Sequence, residues 1–493
     1  MASTTTTGQR LNARTMIALA PAIAKPRASG AGAGLETGIV HIGLGAFHRA
    51  HQAVYTDDCL NRSPGPWGIC GVSLRSPDTR DALAPQDCLY TVAVRDASGD
   101  RLRVVGSITE TLVAPEDPAA VLDRLTRPAT RIVTITVTEK GYCHEPATGA
   151  LNGDHPGIRH DLANPGQPQT LAGFLVEALD RRRKAGTPPF TVLSCDNLPD
   201  NGRVTAGILR QFAELRDPAL GRWIADTVAC PSSMVDRIVP ATTDEDRETV
   251  AMALGVTDAW PVMTEPFSQW VIEDHFPAGR PAWELEGAEL VSDVRPYELM
   301  KLRLLNGSHS CIAYLGYLAG HQTVSDAMAD PVFAGFVRAL MDDEVTPTLD
   351  VPPGADLTRY KAALLERFAN PALKHRTWQI AMDGSQKLPQ RLLGTIRDRL
   401  AAGQPFDRLA LGVAAWMRYV GGVDEKGRPI DVRDPLADRL KTLPDAASLL
   451  GVREVFGDDL PKNPTFAAVV TEALARLKAT GARDAVRSLD PNS

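Results

Sequence analysis

The segment from Lys301 to His309 carries three side chains whose types and spacing suit the interconversion of an alcohol and a ketone. Lys301, Asn306 and His309 stand at positions i, i+5 and i+8. At about 100° per residue these positions lie near 0°, 140° and 80° around an α-helix, so one face can present all three. A buried lysine can transfer a proton, an asparagine amide can donate to an oxyanion, and a histidine can orient a hydroxyl. An amphipathic helix with a solvated lysine and a packed histidine is the alternative interpretation.

A glycine-containing turn follows the first strand-like run of the chain. Residues 39–42 are typical of a short buried strand, which runs directly into Gly43-Leu44-Gly45. Gly43 permits a tight turn, and Gly45 lets the backbone approach a pyrophosphate at the N-terminus of the next helix. His48 stands where the usual fingerprint has its third glycine. The pattern therefore predicts a dinucleotide site, with an ordinary turn as the alternative.

Further strand-like runs alternate with helical periodicity and indicate a mostly parallel sheet. Such runs cover residues 67–72, 131–137 and 190–195, and a helical pattern spans 170–183. In these sheets ligands bind beyond the carboxyl ends of the strands, and those ends are polar here. Asp78 follows the first of these runs and is a candidate partner for the adenosine ribose hydroxyls. Arg75 lies nearby and could bind the 2′-phosphate of NADP instead.

Composition sets limits on the function. The chain has 493 residues and a formal net charge of −7, and it contains no basic block, which argues against a nucleic-acid partner. No apolar run approaches the roughly 18 residues of a membrane span. Seven scattered cysteines without a Cys-x-x-Cys pair favour reduced thiols and a cytoplasmic location. His48 and His51 lack a nearby carboxylate or thiolate, so packing explains them better than metal binding does.

Two domains are predicted from a change in periodicity near residue 290. Residues 1–34 form an N-terminal helix and a Gly/Ala-rich linker, and 35–290 form a Rossmann-like α/β domain with a mostly parallel sheet. Residues 291–493 form a largely α-helical domain whose first long helix carries Lys301. A cleft between the two predicted domains would bring Asn197 and Lys301 together.

Five motifs, in order along most of the chain, resemble those of the polyol-specific long-chain dehydrogenases. That family includes mannitol 2-dehydrogenase, arabinitol dehydrogenases and the hexuronate reductases. The motifs are Ile42–Gln52, Thr138–Tyr142, Ser194–Asn197, Met234–Arg237 and Lys301–His309. Their combination is far more specific than any one of them.

The resemblance implies a metal-independent dehydrogenase that binds NAD in its first domain, with NADP still possible. It implies that Lys301 is the general acid/base, that Asn197 and Asn306 form an oxyanion hole, and that His309 holds a substrate hydroxyl. Glu139 would gate proton exchange with solvent. The cofactor-binding residues that it implies, together with Asp78, are Gly43, Gly45, Ala46, Phe47, His48 and Asp236.

The substrate expectation depends on residues 374–391. Residues 375–387 are similar to the hexuronate-reducing members, whereas the mannitol-oxidising members carry an arginine where this chain has Gln379. Arg376 and Lys387 belong to a cationic cluster that suits a carboxylate, which a neutral polyol lacks. A solvated basic helix end is the alternative. The expected reaction interconverts D-fructuronate and D-mannonate. The alternatives are the mannitol–fructose pair, tagaturonate or another polyol. The enzyme is expected to be a monomer or a small homo-oligomer, with no nucleic-acid or membrane partner.

Overall fold

The computed structural model describes residues 8–27, 34–96, 98–145, 149–352, 354–443 and 445–489. The chain divides into two compact units, Met1–Arg295 and Pro296–Ser493. Within the described ranges, no helix combines the length and apolar character needed to cross a membrane. All seven cysteines fall in those ranges, and each is a free thiol.

The first unit contains every strand in the described part of the chain. These strands are β1 Thr37–Ile42, β2 Gly68–Ser73, β3 Tyr90–Asp96, β4 Gly99–Val105, β5 Ile108–Val113, β6 Ile132–Ile135, β7 Thr191–Ser194, β8 Ser233–Asp236, β9 Val262–Thr264, β10 Gln269–Glu273 and β11 Glu289–Val291. The helices of this unit are α1 Ala13–Ile17, α2 Ala46–Ala50, α3 Gln52–Arg62, α4 Asp78–Leu83, α5 Pro118–Thr126, α6 Pro156–Ala163, α7 Leu171–Ala185, α8 Asn201–Arg216, α9 Pro218–Thr227 and α10 Asp244–Leu254. Short 3₁₀ turns lie at Ala84–Gln86, Glu139–Tyr142 and Trp283–Glu286.

A five-stranded sheet in the order β5-β2-β1-β6-β7 forms the centre of this unit. All four of its strand pairs are parallel, which confirms the predicted Rossmann-like fold. If these five strands are numbered by their order in the sequence, their spatial order is 3-2-1-4-5. The order in which strands are added therefore reverses beside β1, which is the topological switch point of the sheet. Val40 and Ile42 face one core and Ile39 faces another, because apolar side chains cover both faces of a buried parallel sheet.

Two three-stranded sheets and the N-terminal segment complete the first unit. The sheets have the orders β11-β10-β8 and β4-β3-β9. Helix α1 is capped by the Asn12 side chain, and Leu11, Met16, Leu19 and Ile23 pack with β3 and α10. The predicted N-terminal helix is therefore short and packs on the first unit. The linker predicted for residues 28–34 lies, apart from Gly34, outside the described residues.

The second unit is largely helical, as predicted. Its α-helices are α11 Arg295–Met300, α12 Ser308–Ala319, α13 Val324–Ala329, α14 Pro331–Ala339, α15 Leu357–Ala369, α16 Thr377–Ala381, α17 Gly384–Leu388, α18 Gly394–Ala401, α19 Asp407–Val420, α20 Ala437–Leu440, α21 Ala446–Leu450, α22 Arg453–Phe456, α23 Pro464–Thr480 and α24 Ala482–Arg487. Helix α11 begins one residue before the boundary. Short 3₁₀ turns lie at Thr346–Thr348, Pro371–Leu373 and Leu460–Lys462.

Three π-helical segments interrupt the α-helices of the second unit. They are Lys301–Gly307, Leu340–Val345 and Pro389–Leu393. The first joins α11 to α12, so the α-helical geometry expected around Lys301 is wrong over that segment. A π-helix closes its turns with i→i+5 hydrogen bonds, which places residues five apart on successive turns of one face. Lys301 and Asn306 are therefore closer in direction than an α-helix would make them.

Candidate active site

The turn after β1 is held by its neighbours and needs glycine at its first position. Gly43 has φ +101°, and a β-carbon there would stand 2.1 Å from the carbonyl oxygen of Thr136. The amides of Gly43 and Leu44 donate to the Val72 carbonyl at 2.8 and 3.2 Å. The turn is therefore fixed against the carboxyl ends of both strands that flank β1.

Gly45 leaves the space at the start of α2 open, as a dinucleotide requires. It is the N-cap residue of α2, and a β-carbon there would have only the Gly43 carbonyl oxygen nearby, at 3.7 Å. Its lack of a side chain is thus not demanded by packing inside the protein. Ala46 and Phe47, both half-buried, form the first turn of α2. Backbone amides at such a position, at the switch point of the sheet, fit a pyrophosphate.

His48 explains the missing third glycine. Its ring is fully buried and stacks on that of His41, with ring centroids 3.4 Å apart. His41 in turn bonds the hydroxyls of Thr134 and Thr136 at 2.8 and 2.9 Å. Burial lowers the pKa of His41 to about 3 and holds the pKa of His48 well below its usual value, so both rings are neutral. The His48 side chain belongs to the interior, which leaves its backbone as the part that can face a cofactor.

Asp78 and Arg75 lie on the exposed surface beyond the carboxyl end of β2. Asp78 is the first residue of α4, and the Ser76 hydroxyl donates to its carboxylate at 2.9 Å. Strand β2 is the neighbour of β1, so this position suits the adenosine ribose of a dinucleotide held at the Gly43 turn.

Three further candidates occupy the ends of successive strands in the first unit. Glu139 is exposed and opens the 3₁₀ turn after β6, and Asn197 is exposed shortly after β7. Asp236 is the last residue of β8 and is buried. Glu139 and Asn197 thus each follow a strand, as the sequence pattern predicts.

The second unit buries Lys301, Asn306 and His309 together on one continuous helical stretch. Their exposed fractions are 7%, 7% and 6%, so the solvated lysine of the alternative interpretation is wrong. Burying a lysine and an amide costs free energy of folding unless they contact polar groups. Their joint burial therefore favours a catalytic role over a purely structural one.

His309 lies against aromatic and cationic neighbours. Its ring centroid is 4.6 Å from that of Phe368 and 5.2 Å from that of His375. Burial holds the pKa of His309 well below 6.5, and electrostatic interactions with His375, Arg391 and Arg367 lower it further. Burial also lowers the pKa of His375, to about 4, so the lasting positive charges near His309 are those of the two arginines. Its Nε2 is buried and has no hydrogen-bond partner among the described residues. A neutral imidazole with such a nitrogen can accept a hydrogen bond from a substrate hydroxyl or donate one to it.

The predicted cationic cluster is split by the fold. The guanidinium of Arg391 donates to the Ser310 hydroxyl at 3.3 Å, beside His309, and Lys387 donates to the Met382 carbonyl at 2.6 Å. Arg376 is exposed at the N-cap of α16, where its backbone pairs with Thr323. The geometry therefore favours Arg391 over Arg376 near His309, while Lys387 acts electrostatically on the neighbouring His375.

Sequence reasoning did not single out Arg367, which is buried on α15. A basic residue on the apolar face of an amphipathic helix is the signal that could have identified it. No group of three or more His, Cys, Asp or Glu side chains that could hold a metal occurs in the described ranges.

Comparison with known proteins places both units in one family. The Rossmann domain of mannitol dehydrogenases matches residues 37–285, and the C-terminal domain of mannitol dehydrogenases matches 293–478. Together these matches cover most of the chain.

Individual relatives agree over nearly their full length. The chain is 52% identical to the uncharacterized oxidoreductase YeiQ of Escherichia coli, over 92% of this chain and 94% of the relative. It is 49% identical to the D-mannonate oxidoreductase of Escherichia coli, over 92% and 96% respectively. The structure of Pseudomonas fluorescens mannitol 2-dehydrogenase in a ternary complex with NAD and D-mannitol is similar with a TM-score of 0.89 and 44% identity, covering 97% of this chain and 99% of that one. The chain belongs to the mannitol dehydrogenase family of oxidoreductases, which act on secondary alcohols.

Proposed function

We propose that this enzyme interconverts D-fructuronate and D-mannonate, with NADH and NAD as the hydride carriers. The observation that carries the proposal is the placement of Arg391, which donates to the Ser310 hydroxyl at 3.3 Å, and of Arg367 near His309 in a protein of net charge −7. A hexuronate presents a carboxylate that can pair with such charge, and a neutral ketose does not. The 49% identity to a D-mannonate oxidoreductase supports the same choice.

The nicotinamide cofactor is assigned to the first unit. The open backbone at Gly45 and the turn at Gly43 would hold its pyrophosphate, with Ala46, Phe47 and the His48 backbone beside them. Asp78 would accept hydrogen bonds from the adenosine ribose, and its charge would disfavour a 2′-phosphate, which argues for NAD. The bound cofactor supplies the hydride. Asp236 is proposed to lie near the nicotinamide.

The remaining side chains are proposed to stabilise the charge on the reacting oxygen and to transfer its proton. Hydride arrival at a ketone builds negative charge on its oxygen, so donors and a proton source are needed there. In this proposal Asn197 and Asn306 donate hydrogen bonds to that oxygen, and Lys301 delivers the proton. Glu139, which is exposed, would pass the proton to and from solvent. His309 is neutral and would orient a neighbouring hydroxyl.

The carboxylate of the substrate is assigned to Arg391 and Lys387. Arg391 lies beside Ser310 and acts electrostatically on His309, whereas Arg376 is exposed at the start of α16. A guanidinium offers paired N–H donors that match a carboxylate, and a lysine adds a point charge. Arg367 adds positive charge at the same place.

A substrate panel tests the proposal. Initial rates on D-fructuronate, D-tagaturonate and D-fructose, and on D-mannitol in the reverse direction, would be measured with each cofactor. We expect kcat/KM for fructuronate to exceed that for fructose by about 10²-fold, since a partly buried charge pair contributes about 2–5 kcal/mol. A preference for fructose or mannitol would reject the uronate assignment.

The interconversion of mannitol and fructose is the second candidate. The similarity to the Pseudomonas fluorescens mannitol 2-dehydrogenase complex favours it. The two candidates share the lysine chemistry and differ only in whether the substrate carries a carboxylate, so the panel separates them. A cytoplasmic location remains part of the proposal and agrees with the seven free thiols.

A further inference from the structure

A buried carboxylate joins the ends of β6 and β7 in the first unit. Asp196 is 8% exposed and accepts hydrogen bonds from the backbone amides of Val137 and Thr138 at 3.0 and 2.8 Å. The Tyr142 hydroxyl donates to the same carboxylate at 2.8 Å and lies 2.6 Å from the Ser194 hydroxyl. Asp196 thus fixes both ends of the segment from Val137 to Tyr142.

The segment that Asp196 holds has an unusual backbone conformation. Thr138 has φ +63° and ψ +166°, a region that β-branched residues rarely occupy. Such a conformation persists only where surrounding contacts enforce it, and the bonds to Asp196 are contacts of that kind. The next residue is Glu139, so its position depends directly on Asp196.

A second set of hydrogen bonds extends the same frame to β8. The side-chain amide of Asn201 donates to the backbone carbonyls of Asp196 and Ser233 at 3.0 and 2.7 Å. Its oxygen accepts from the backbone N–H of Ser233 at 3.0 Å. The Ser233 hydroxyl donates to the Ser194 carbonyl at 2.7 Å. Ser233 is the first residue of β8, so these bonds tie the start of β8 to the ends of β6 and β7.

We propose that Asp196 is a positioning residue for the reaction: its carboxylate sets the place of Glu139 through Thr138 and of Asn197 through the chain itself. The inference rests on the roles assigned to Glu139 and Asn197 under the proposed function. Among the described residues, the donors to the Asp196 carboxylate include the amides of Val137 and Thr138 and the Tyr142 hydroxyl, so Asp196 acts through these neighbours.

Other titratable groups act on Asp196. Burial raises the pKa of Asp196, and the negative charge of Glu139 raises it further, while the donors from Val137, Tyr142 and Thr138 oppose the rise. A change at Asp196 therefore also alters the electrostatic field at Glu139, which a pH profile can detect.

The chain offers a matched control in Asp161, which lies in α6. Asp161 is 1% exposed and accepts from two consecutive backbone amides, those of Gln169 and Thr170, each at 2.8 Å. The Thr170 hydroxyl adds a third bond at 2.6 Å. This set repeats the pattern at Asp196, but Asp161 borders none of the assigned site residues. Asp161→Asn therefore reports the purely structural cost of such a change.

The experiment compares Asp196→Asn with Asp161→Asn on whichever substrate the wild type uses best. We expect similar losses of Tm. Only Asp196→Asn should lower kcat, by about tenfold or more, and displace the pH profile of kcat, while the Kd for NADH stays within about twofold. A wild-type kcat and pH profile in Asp196→Asn, or an equal loss of kcat in Asp161→Asn, would overturn the inference.

Two further variants keep the result decisive. If Asp196→Asn does not fold, Tyr142→Phe removes one donor and should show the same displacement of the pH profile with a smaller fall in kcat; unchanged kinetics would overturn the inference. Glu139→Gln and Asn197→Ala test the assigned roles separately. If they lose rate while Asp196→Asn does not, only the positioning inference fails; if they keep full rate, the assigned roles fail.

Discussion

Gly307 and Arg391 approach so closely that a β-carbon on Gly307 would lie 2.9 Å from the Arg391 carbonyl oxygen. Each residue belongs to a π-helical segment, Lys301–Gly307 and Pro389–Leu393 respectively. Such segments occur frequently at functional sites. This packing keeps the segment that carries Lys301 and Asn306 against the segment that carries Arg391.

Gly307→Ala should therefore displace the segment that carries Lys301 and Asn306, although Gly307 itself has no assigned role in the reaction. The added methyl group meets backbone, which cannot rotate away, so one segment must shift. We expect a lower Tm and a fall in kcat/KM of about tenfold, because small displacements of reacting groups are costly. Gly335→Ala on α14 is the control: a β-carbon there meets no atom within 4 Å, and Tm should stay or rise. An unaltered kcat/KM in Gly307→Ala would show that the close packing does not matter for the rate.

Lys301→Ala tests the proton-transfer assignment. The variant should fold and bind NADH, because the lysine is assigned to the reacting oxygen and not to the cofactor. Turnover should fall by about 10²–10⁴-fold, the usual contribution of general acid/base catalysis. Circular dichroism, NADH titration and steady-state rates would measure the three properties, with the exposed Lys478→Ala as control. Near-normal turnover in the Lys301 variant would remove it from the mechanism.

Asp78→Ala tests the cofactor assignment. If Asp78 accepts hydrogen bonds from the ribose, its loss should weaken NADH binding by about 1–3 kcal/mol. The preference for NADH over NADPH should also narrow, since the carboxylate no longer repels a 2′-phosphate. Fluorescence titration with both cofactors measures this, and Asp81→Ala, three residues along α4, serves as the control. An unchanged ratio of the two Kd values would exclude Asp78 and make Arg75 the next residue to vary.

The buried His41–His48 pair should make the fold sensitive to acid. In the folded protein the pKa of His41 is about 3 and that of His48 is well below 6.5, whereas in the unfolded chain both are near 6.5. The unfolded state therefore binds more protons below pH 6.5, and stability falls as the pH drops from there toward the folded-state pKa. His41 alone should cost about 2 kcal/mol of unfolding free energy at pH 5, and His48 should lower the stability further in the same direction.

Urea denaturation at pH 7 and pH 5 checks this acid sensitivity. His48→Phe keeps an aromatic ring on His41 and removes one titrating group, so its loss of stability between the two pH values should be smaller than that of the wild type. Equal losses in the two proteins would mean that His48 is not held neutral by the fold.

The sequence was sufficient where local pattern determines structure. The strand before Gly43 and the turn itself follow from an apolar run that meets a glycine, and β1 forms as predicted. The helical setting of Lys301 also follows the periodicity, whereas its burial does not follow from spacing alone, which allows a solvated lysine equally well. The π-helical segment does not, because an i→i+5 hydrogen bond leaves no mark in composition or spacing.

Features that depend on distant packing could not be predicted. His48 occupies a glycine position because His41 lies beneath it, and that stack involves two separate elements. The motif predicts Arg376 as the partner of the carboxylate, yet the fold leaves Arg376 exposed and brings Arg367 and Arg391 toward His309. The arrangement of α12, α15 and the segment 389–393 decides this, and adjacency in sequence carries no information about it.

The ratio of kcat/KM for fructuronate to kcat/KM for fructose, measured in the wild type and in Arg391→Leu, tests the uronate assignment most directly. Both ketoses share the reacting carbonyl, but only the uronate offers a charge to the guanidinium. The ratio should be well above one in the wild type and should fall by about tenfold or more in Arg391→Leu, with a further fall when Lys387→Met is added and a smaller change in Arg376→Leu. A wild-type ratio below one, or a ratio unaffected by Arg391→Leu and Lys387→Met together, would contradict the assignment and favour the neutral polyol.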